Sequence, residues 1–239
     1  MNTYNTVKQI ENIHNKLYSC EYEYLFLKDA DLKTCIGCHL CLTKGEHLCP
    51  LKDDRDQIIE KIESSDAVIL ASPNHTMNVN WLMKNFIDRL SYLMHRPRFF
   101  NQKFMILITS GSYMGVKQAI KALSPIVSGG KIISRLGVMN SPGMNKSKKI
   151  KAMKKVNAAA KRFGVELQKS YKFKANLIII LWFAAFKTTS GLNSEEFPAD
   201  FEYYQNKRFF IETKLNFLQK ASSDVLFRLF QLLAKMGAL

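Results

Sequence analysis

The stretch "SDAVILASPNHTMNVNWLMKNFIDRL", residues 65–90, contains the pattern that decides the fold. Its apolar run, Ala67 to Ala71, is rich in branched residues, which is typical of a buried β-strand. A polar loop, "SPNHTMNVN" (72–80), follows directly, and apolar residues then recur at helical spacing over 79–94. A strand that leads through a short loop into a helix is the repeating unit of parallel α/β sheets.

Three other apolar runs have the same strand-like composition, and helical patterns alternate with them. The predicted strands are Tyr22 to Leu27, Phe104 to Thr109 and Ile132 to Val138, and the predicted helices are 55–65, 115–127 and the stretch after Asn145. This alternation predicts an α/β protein with a doubly wound parallel sheet covered by helices on both faces. Because ligands bind in loops outside the carboxyl ends of such strands, the loops 72–80 and 109–115 are candidate binding segments.

The chain of 239 residues is strongly basic, with 35 Lys and Arg against 20 Asp and Glu and a formal net charge of +15. An excess of this size suggests an anionic partner such as nucleic acid, a membrane surface or a phosphorylated cofactor. Much of it lies in "NKSKKIKAMKKVNAAAKRF" (145–163), where apolar residues recur at helical spacing. We interpret this stretch as an amphipathic helix with a solvated basic face, and we expect no nucleic-acid partner.

The sequence contains few export or membrane signals. Residues 1–18 are polar and lack the apolar core of a secretory signal, so we expect a cytoplasmic protein. The most apolar run, "ANLIIILWFAAF" (175–186), is too short for a transmembrane helix, and we expect no transmembrane segment. A buried strand or helix, or a dimer surface, is the preferred interpretation of this run, with an interfacial membrane contact as the alternative.

Four of the five cysteines fall in "CIGCHLCLTKGEHLCP" (35–50), spaced C-x2-C-x2-C-x7-C. The candidate metal ligands are Cys35, Cys38, Cys41 and Cys49. Their spacing suits a 4Fe-4S cluster better than zinc, which more often uses two separated C-x2-C knuckles. Zinc, and a cysteine-rich loop that binds no metal, stay open as alternatives. Cys20 is predicted to be a buried thiol, and His39 and His47 are predicted to be exposed.

Several segments, in this order along the chain, resemble the NAD(P)H-dependent FMN reductases and iron-sulfur flavoproteins of the flavodoxin-like superfamily. They are "CIGCHLC", "CPLKDD", "SDAVILASP", "LMKNFIDRL", "HRPRF" and "ITSGSYMG". The similarity covers residues 2–140 closely and the later residues loosely. It implies a flavodoxin-like FMN-binding domain over 1–170, with a cysteine-cluster insertion at 35–50, and a helical C-terminal extension over 171–239.

The resemblance also implies which residues bind FMN. The end of the family's phosphate loop aligns with Asn2 and Thr3, and the segment that runs against the flavin aligns with 72–80. The implied contacts in the two loops are Ser72, Pro73, Asn74, His75, Thr76, Met77, Asn78, Ser110, Gly111, Ser112, Tyr113 and Gly115. The alternatives are structural: Pro73 ends a strand, Asn78 caps the next helix, and 109–115 is a plain strand-to-helix turn.

Two further pairs match the family. Asp88 and Arg89 match a D-R pair that we expect to be structural. His95 and Arg96, in "HRPRF", could face the nicotinamide or the acceptor, or could belong to a capped helix end.

The family's first strand and most of its phosphate loop have no counterpart here, because the sequence begins "MNTYNTVKQI". In a sheet of strand order 2-1-3-4-5 that strand is central, and its loss leaves two neighbouring strands with unpaired backbone groups. Either the true start codon lies upstream, or a shortened protein binds flavin weakly.

The activity implied by the resemblance is that of an NAD(P)H-dependent oxidoreductase. FMN would pass electrons from the nicotinamide to a 4Fe-4S cluster or to a small-molecule or protein acceptor. A homodimer or higher homo-oligomer is expected, since flavin sites in this family often lie at subunit contacts. A non-enzymatic iron-sulfur electron carrier or redox sensor is the alternative, and a cofactor-free scaffold is the third hypothesis. No catalytic side chain is assigned, because the cofactors would perform the chemistry.

Overall fold

The computed structural model describes residues 2–141, 143–213 and 215–236, which form two compact units. The first unit comprises residues 2–35, 53–90 and 98–171, and the second comprises 36–52, 91–97 and 172–236. The described helices are α1 (Asn2–Leu17), α2 (Leu40–Thr43), α3 (Arg55–Ser64), α4 (Trp81–Arg89), α5 (Val116–Leu123), α6 (Lys146–Leu167), α7 (Leu177–Leu192), α8 (Pro198–Tyr204) and α9 (Phe217–Lys235). Single turns of 3-10 helix occur at Glu46–Leu48, Ser91–Met94 and Ser124–Val127.

The first unit is built on a four-stranded sheet. Its strands are β1 (Ala67–His75), β2 (Asn78–Val79), β3 (Lys103–Ser110) and β4 (Lys131–Met139), in the order β2-β1-β3-β4. β1 and β4 pair with β3 in parallel, whereas β2 folds back on the end of β1 as an antiparallel hairpin. Every residue of β3 is buried, as expected for a central strand with apolar residues on both faces.

Helices cover both faces of this sheet. On one face α1 and α6 pack against alternate strand residues, among them Leu136 and Val138 of β4. Gly137 lies between these two residues and points the other way, where a Cβ would meet the side chain of Val116 at the start of α5. The doubly wound α/β fold predicted from the sequence is therefore confirmed, and so are the strands near 67–71, 104–109 and 132–138.

The predicted strand at Tyr22 to Leu27 is wrong, because these residues form no β-ladder with any described residue. Tyr22, Tyr24 and Phe26 form a row of ring contacts, and Tyr24 also packs on Tyr4 of α1. The alternating pattern in the sequence therefore reflects a half-buried face, whereas a strand also needs a backbone partner. β1 also lacks a full backbone partner on the edge that faces away from β3. On that edge only Asn74 and His75 pair with described residues, which belong to β2.

The second unit contains α7, α8 and α9, which confirms the helical C-terminal region. Phe183 of α7 contacts the rings of Tyr204, Phe209 and Phe210 in an aromatic core. The apolar run at 175–186 lies mainly in α7, so the run is helical, but the expected burial is only partial because Leu177, Ile178 and Trp182 are exposed. Within the described ranges, no helix has both the length and the apolar content that crossing a bilayer requires.

The end of α6 is fastened to the sheet by charged groups. Lys103 of β3, a buried residue, donates hydrogen bonds to the carbonyl oxygens of Glu166 at 2.8 Å and Lys169 at 2.6 Å. The Glu166 carboxylate accepts hydrogen bonds from Lys169 at 2.5 Å and from Lys131 of β4 at 3.0 Å. These hydrogen bonds lower the pKa of Glu166 to about 2.

This pKa makes stability depend on pH in a defined direction. Glu166→Gln is expected to lower the free energy of unfolding at neutral pH, because the neutral amide cannot pair with Lys131 and Lys169 as a charge. The difference in free energy of unfolding between wild type and variant should be complete above the ordinary carboxyl pKa of 4.5. It should vanish as the pH falls through about 2. Urea denaturation between pH 7 and pH 2 measures this. Glu60→Gln, an exposed change on α3, is the control, and an equal loss in both variants would contradict the assignment.

Candidate functional site

The loop after β1 is a tight hairpin with a strained backbone. His75 pairs with Asn78, and the two residues between them, Thr76 and Met77, have φ values of +46° and +63°. Two successive positive φ values suit a two-residue turn of the I′ kind, which normally selects Asn or Gly. Non-glycine residues in this region cost free energy and concentrate at functional sites. His75, Thr76, Met77 and Asn78 are all exposed on this hairpin.

The loop after β3 is tied to this hairpin through Asn74. The side-chain amide nitrogen of Asn74 donates to the Ser110 hydroxyl at 2.9 Å and to the Met114 carbonyl at 2.7 Å. Its amide oxygen, Oδ1, is buried and has no hydrogen-bond partner among the described atoms. A buried acceptor without a donor is uncommon, because it forfeits its hydration. The two predicted binding loops therefore lie side by side, and Oδ1 of Asn74, at their contact, is an unsatisfied acceptor.

Gly115 lets the two loops touch. A Cβ on Gly115 would lie 2.2 Å from the Cα of Met77, and the residue has a φ of +78°. Only glycine combines this backbone conformation with so close an approach. The exposed tip of the loop consists of Gly111, Ser112 and Tyr113, and the ring of Tyr113 is 75% exposed. Polar and aromatic groups are thus held at the carboxyl edge of the sheet.

The beginning of α1 meets the same edge. The hydroxyl oxygens of Thr3 and Thr109 are 2.6 Å apart, and the side-chain amide of Asn2 donates to the Asn140 carbonyl at 3.1 Å. The amide of Asn140 in turn donates to the carbonyl of Ser110 at 2.8 Å. The first turn of α1 has no acidic residue, so the partial positive charge of its amides is not neutralised locally. Three segments that the sequence singled out are therefore joined by hydrogen bonds.

Two of the predicted loop residues, Ser72 and Pro73, belong to β1 rather than to the loop. Ser72 is 1% exposed, and its hydroxyl accepts a hydrogen bond from the amide of Asn80 at 3.3 Å. Pro73 lies inside β1, which continues to His75 and does not end at the proline. The alternative that Asn78 caps the next helix is wrong, since the side chain of Asn80 accepts from Met83 at the start of α4.

A cavity of about 260 Å³ lies elsewhere in the first unit. Its walls include Tyr24, Phe26, Ile58 and Lys61, and none of the predicted flavin contacts. The joined loops lie outside the walls of this cavity.

In the first unit, the side chain of Asn85 on α4 holds the backbone at Lys33 and Cys35. The side-chain oxygen of Asn85 accepts from the Cys35 amide at 2.9 Å, and its amide nitrogen donates to the Lys33 carbonyl at 3.1 Å. Arg89 donates to both carboxylate oxygens of Asp53, at 2.7 and 2.8 Å, and both side chains are buried. Arg89 therefore has the structural role that the sequence predicts, while Asp88 pairs with Lys84 on the surface.

In the second unit, Cys38 is exposed, Cys41 is half-buried and Cys49 is buried. The backbone around them has positive φ values at Gly37, His39 and Gly45, as sharp loop turns require. In the described residues no cysteine forms a disulfide. Cys20 is half-buried rather than buried, and His39 and His47 are exposed as predicted. In the described part of the chain, no three His, Cys, Asp or Glu side chains are grouped as a metal site.

A buried arginine in the second unit holds the loop that carries Cys41. Arg96 donates to the carbonyl oxygens of Cys41 and Leu42, the latter at 3.2 Å, at the C-terminal end of α2. It also pairs with Glu46 at 3.2 Å and with Asp200 of α8. His95 Nδ1 lies 2.7 Å from the same Asp200 carboxylate. Arg96 thus holds the loop at the end of α2, and His95 contacts its partner Asp200.

Sequence reasoning missed the partners in these anchors. Asn85, Asp53 and Asp200 lie 50, 36 and 104 positions from Cys35, Arg89 and Arg96 along the chain. No local spacing connects residues so far apart. The one available signal was the polarity of Asn85 and Arg89, four residues apart on the face of α4 that also carries Met83 and Phe86.

Gly115 provides a test of the contact between the two loops. Gly115→Ala should reduce the free energy of unfolding by about 2 kcal/mol or more, because the new methyl group would overlap Met77 at a positive φ. Gly111→Ala is the matched control, since a Cβ there meets nothing within 4 Å. Urea denaturation of both variants measures the difference. Equal stabilities would show that the loops do not pack as described.

Arg96 provides a test of the cysteine-loop anchor. Arg96→Gln should cost about 3–5 kcal/mol, because it leaves the buried carboxylate of Asp200 without its guanidinium partner. Amides of α2 should then exchange with deuterium faster. Arg98→Gln, which removes a half-exposed pair with Glu63, should cost about 1 kcal/mol or less. Unchanged exchange at Leu40–Thr43 in Arg96→Gln would refute the anchoring role.

Known proteins resemble this chain in both sequence and fold. An iron-sulfur flavoprotein of Archaeoglobus fulgidus is 42% identical over 91 residues, which are 38% of this chain and 38% of that protein. A second A. fulgidus iron-sulfur flavoprotein is 39% identical over 92 residues, 38% of this chain and 44% of that protein. The matched segments thus span less than half the length of these curated relatives.

Solved structures share the fold. The NAD(P)H:quinone oxidoreductase of Methanothermobacter marburgensis aligns with a TM-score of 0.52 and 15% identity, over 72% of this chain and 92% of that chain. RosB with a bound 8-demethyl-8-formylriboflavin-5'-phosphate intermediate aligns with a TM-score of 0.53 and 12% identity, over 91% and 85%. The sequence profile of the NADPH-dependent FMN reductase family matches residues 2–143, more than half of the chain. The chain therefore belongs to the NADPH-dependent FMN reductase family.

Proposed function

We propose that this chain is an FMN-containing oxidoreductase that takes electrons from NAD(P)H, and that its cysteine loop binds a 4Fe-4S cluster. Family membership supports the first part, and the names of the A. fulgidus relatives support the second. One observation carries the proposal: the start of α1, the β1 hairpin and the loop after β3 are joined at one edge of the sheet. Flavins bind at this edge in sheets of this kind.

The residues at the edge suit the parts of FMN. Asn2 and Thr3, in the first turn of α1, would hold the phosphate, because helix N-termini attract anions. Asn74 would offer its unsatisfied buried oxygen to a flavin N–H group. Tyr113 and Met77 are exposed beside these polar groups and would contact the ring. FMN, when bound, would take up a hydride from NAD(P)H and release its electrons to an acceptor.

The cysteine loop suits an iron-sulfur cluster by its donor set. Cys35, Cys38, Cys41 and Cys49 form no disulfide in the described chain, and thiolates are the ligands that such clusters use. Asn85, at Cys35, and Arg96, at Cys41, would hold two of the four ligand positions through backbone hydrogen bonds. The proposed acceptor of the electrons is this cluster, or a small molecule or protein beyond it. A homodimer and a cytoplasmic location stay predictions from the resemblance and the sequence.

The spectrum of the protein purified without oxygen tests the proposal. A flavin absorption band, and a flavin that NADH or NADPH bleaches, are the expected results. If the isolated protein lacks flavin, titration with FMN should restore both. A broad iron-sulfur band without flavin, even after FMN is added, would instead support the non-enzymatic electron carrier. A colourless protein after reconstitution with iron, sulfide and FMN would overturn both functions.

Asn74 links the flavin proposal to the joined loops. Asn74→Ala should weaken FMN binding about tenfold, since a lost hydrogen bond and the loosened loops together remove about 1.4 kcal/mol. Quenching of FMN fluorescence by the protein measures the affinity. Asn12→Ala, an exposed change on α1, should bind FMN as wild type does. Equal affinities in the two variants would remove Asn74 from the site.

Iron analysis tests the cluster separately. The wild-type protein should contain about four irons and four sulfides per chain, the stoichiometry of a 4Fe-4S cluster. Cys38→Ser should lose most of this iron, because Cys38 is one of the four proposed ligands, while Cys20→Ser should keep it. Tightly bound zinc in place of iron, or equal iron in the two variants, would contradict the assignment and leave the flavin result untouched.

A further inference from the structure

Helix α7 exposes an apolar face that no described residue of its unit covers. Leu177, Ile178 and Trp182 are 63%, 65% and 54% exposed, and Leu181 and Leu192 are exposed on the same side. Only one residue of α7 carries a charge, Lys187, which points inward and donates to the Lys207 carbonyl at 2.5 Å. Soluble helices normally place charged residues on the outer face. The outward side of α7 is therefore apolar where a polar face is expected.

Helix α9 has the same feature. Its inner side packs on α7, yet a second row of apolar residues points outward: Leu218, Val225, Leu229 and Leu232. These residues recur at intervals of three, four or seven, which places them on one stripe of the helix. Gln219 donates to the Ala175 carbonyl at 2.8 Å, so the beginnings of α7 and α9 are adjacent. The exposed side chains of Leu177, Ile178, Phe217 and Leu218 occur at these two beginnings.

Cations flank these apolar rows. Lys172 and Lys174 are exposed just before α7, and Lys220 and Arg228 are exposed on α9. Asp224 is the one acidic residue of α9, so cationic side chains outnumber acidic ones on this surface. An apolar face bordered by Lys and Arg, with an exposed Trp, is the composition of helices that lie flat in the headgroup region of anionic bilayers. Contiguous exposed apolar residues on a protein surface indicate an interaction site.

We propose that the outward faces of α7 and α9 bind the surface of an anionic phospholipid bilayer, with Leu177, Ile178, Trp182 and Leu218 entering the interface. The positive flank selects a lipid surface rather than a second copy of this chain, because two like-charged borders would repel each other. α7 lies on the bilayer and does not cross it, consistent with the length and charge of the described helices. This inference is independent of the proposed flavin chemistry.

Trp182 reports directly on this surface. The chain contains two tryptophans, and Trp81 lies on α4 in the first unit, so Trp81→Phe leaves Trp182 as the single emitter. This variant is mixed with vesicles of phosphatidylglycerol and phosphatidylcholine, or of phosphatidylcholine alone. We expect a blue shift of Trp182 emission and quenching by brominated acyl chains on the anionic vesicles. Binding should weaken at least tenfold on the neutral vesicles.

Paired variants test the apolar contribution. Leu177→Glu combined with Leu218→Glu should weaken vesicle co-sedimentation at least tenfold. Leu17→Glu places the same charge on an exposed leucine of α1 and should bind within twofold of wild type. Circular dichroism checks folding, and if the double variant misfolds, quenching of Trp182 in the single-tryptophan protein decides alone.

Three results would overturn the proposal. The first is no co-sedimentation with anionic vesicles. The second is binding without a shift of Trp182 emission, which would show that charge elsewhere on the chain attracts the bilayer. The third is a dimer in sedimentation velocity that the double variant dissociates, which would assign these faces to a second copy of the chain.

Discussion

The parallel pairing of β1 and β4 with β3 is the constraint on which the candidate site depends. The register sets Pro73 beside Thr109 and Ser110 beside Met139, so the three strands reach the same edge almost level with one another. Each chain segment that leaves the sheet there must turn within a few residues of its neighbour. The contacts of Asn74 with Ser110 and of Asn2 with Asn140 are consequences of this register. An antiparallel arrangement would have sent the two loops to opposite ends of the sheet.

The sequence predicted those parts of the fold that depend on local patterns. Apolar runs identified β1, β3 and β4, and helical spacing identified α3 and α6, because burial of one face imposes a period on the residues. The same logic failed at Tyr22 to Leu27. Alternation there reports the contact of Tyr24 with α1, while backbone pairing is a property of two segments and leaves no mark on one of them.

For the candidate site, the sequence identified the loops but not their connections. Polar residues after strands are visible as a pattern, whereas the direction of each side chain depends on the register of its strand. Partners differ even on one face of β1: Ser72 and Asn74, two positions apart, contact Asn80 and Ser110 respectively. The anchors of the cysteine loop were beyond prediction for a related reason. Asp200 acts on Arg96 from a helix more than one hundred residues away.

The open edge of β1 has a consequence for handling the protein. On the edge of β1 that faces away from β3, residues Ala67 to Pro73 have no strand partner in the described ranges. Much of β1 is only half-buried. Unpaired peptide groups in an extended, apolar segment form a template onto which another extended chain can add. In the described part of the chain, this edge is therefore the place where a further extended segment would pair, and a charge added near Val68 would oppose that pairing.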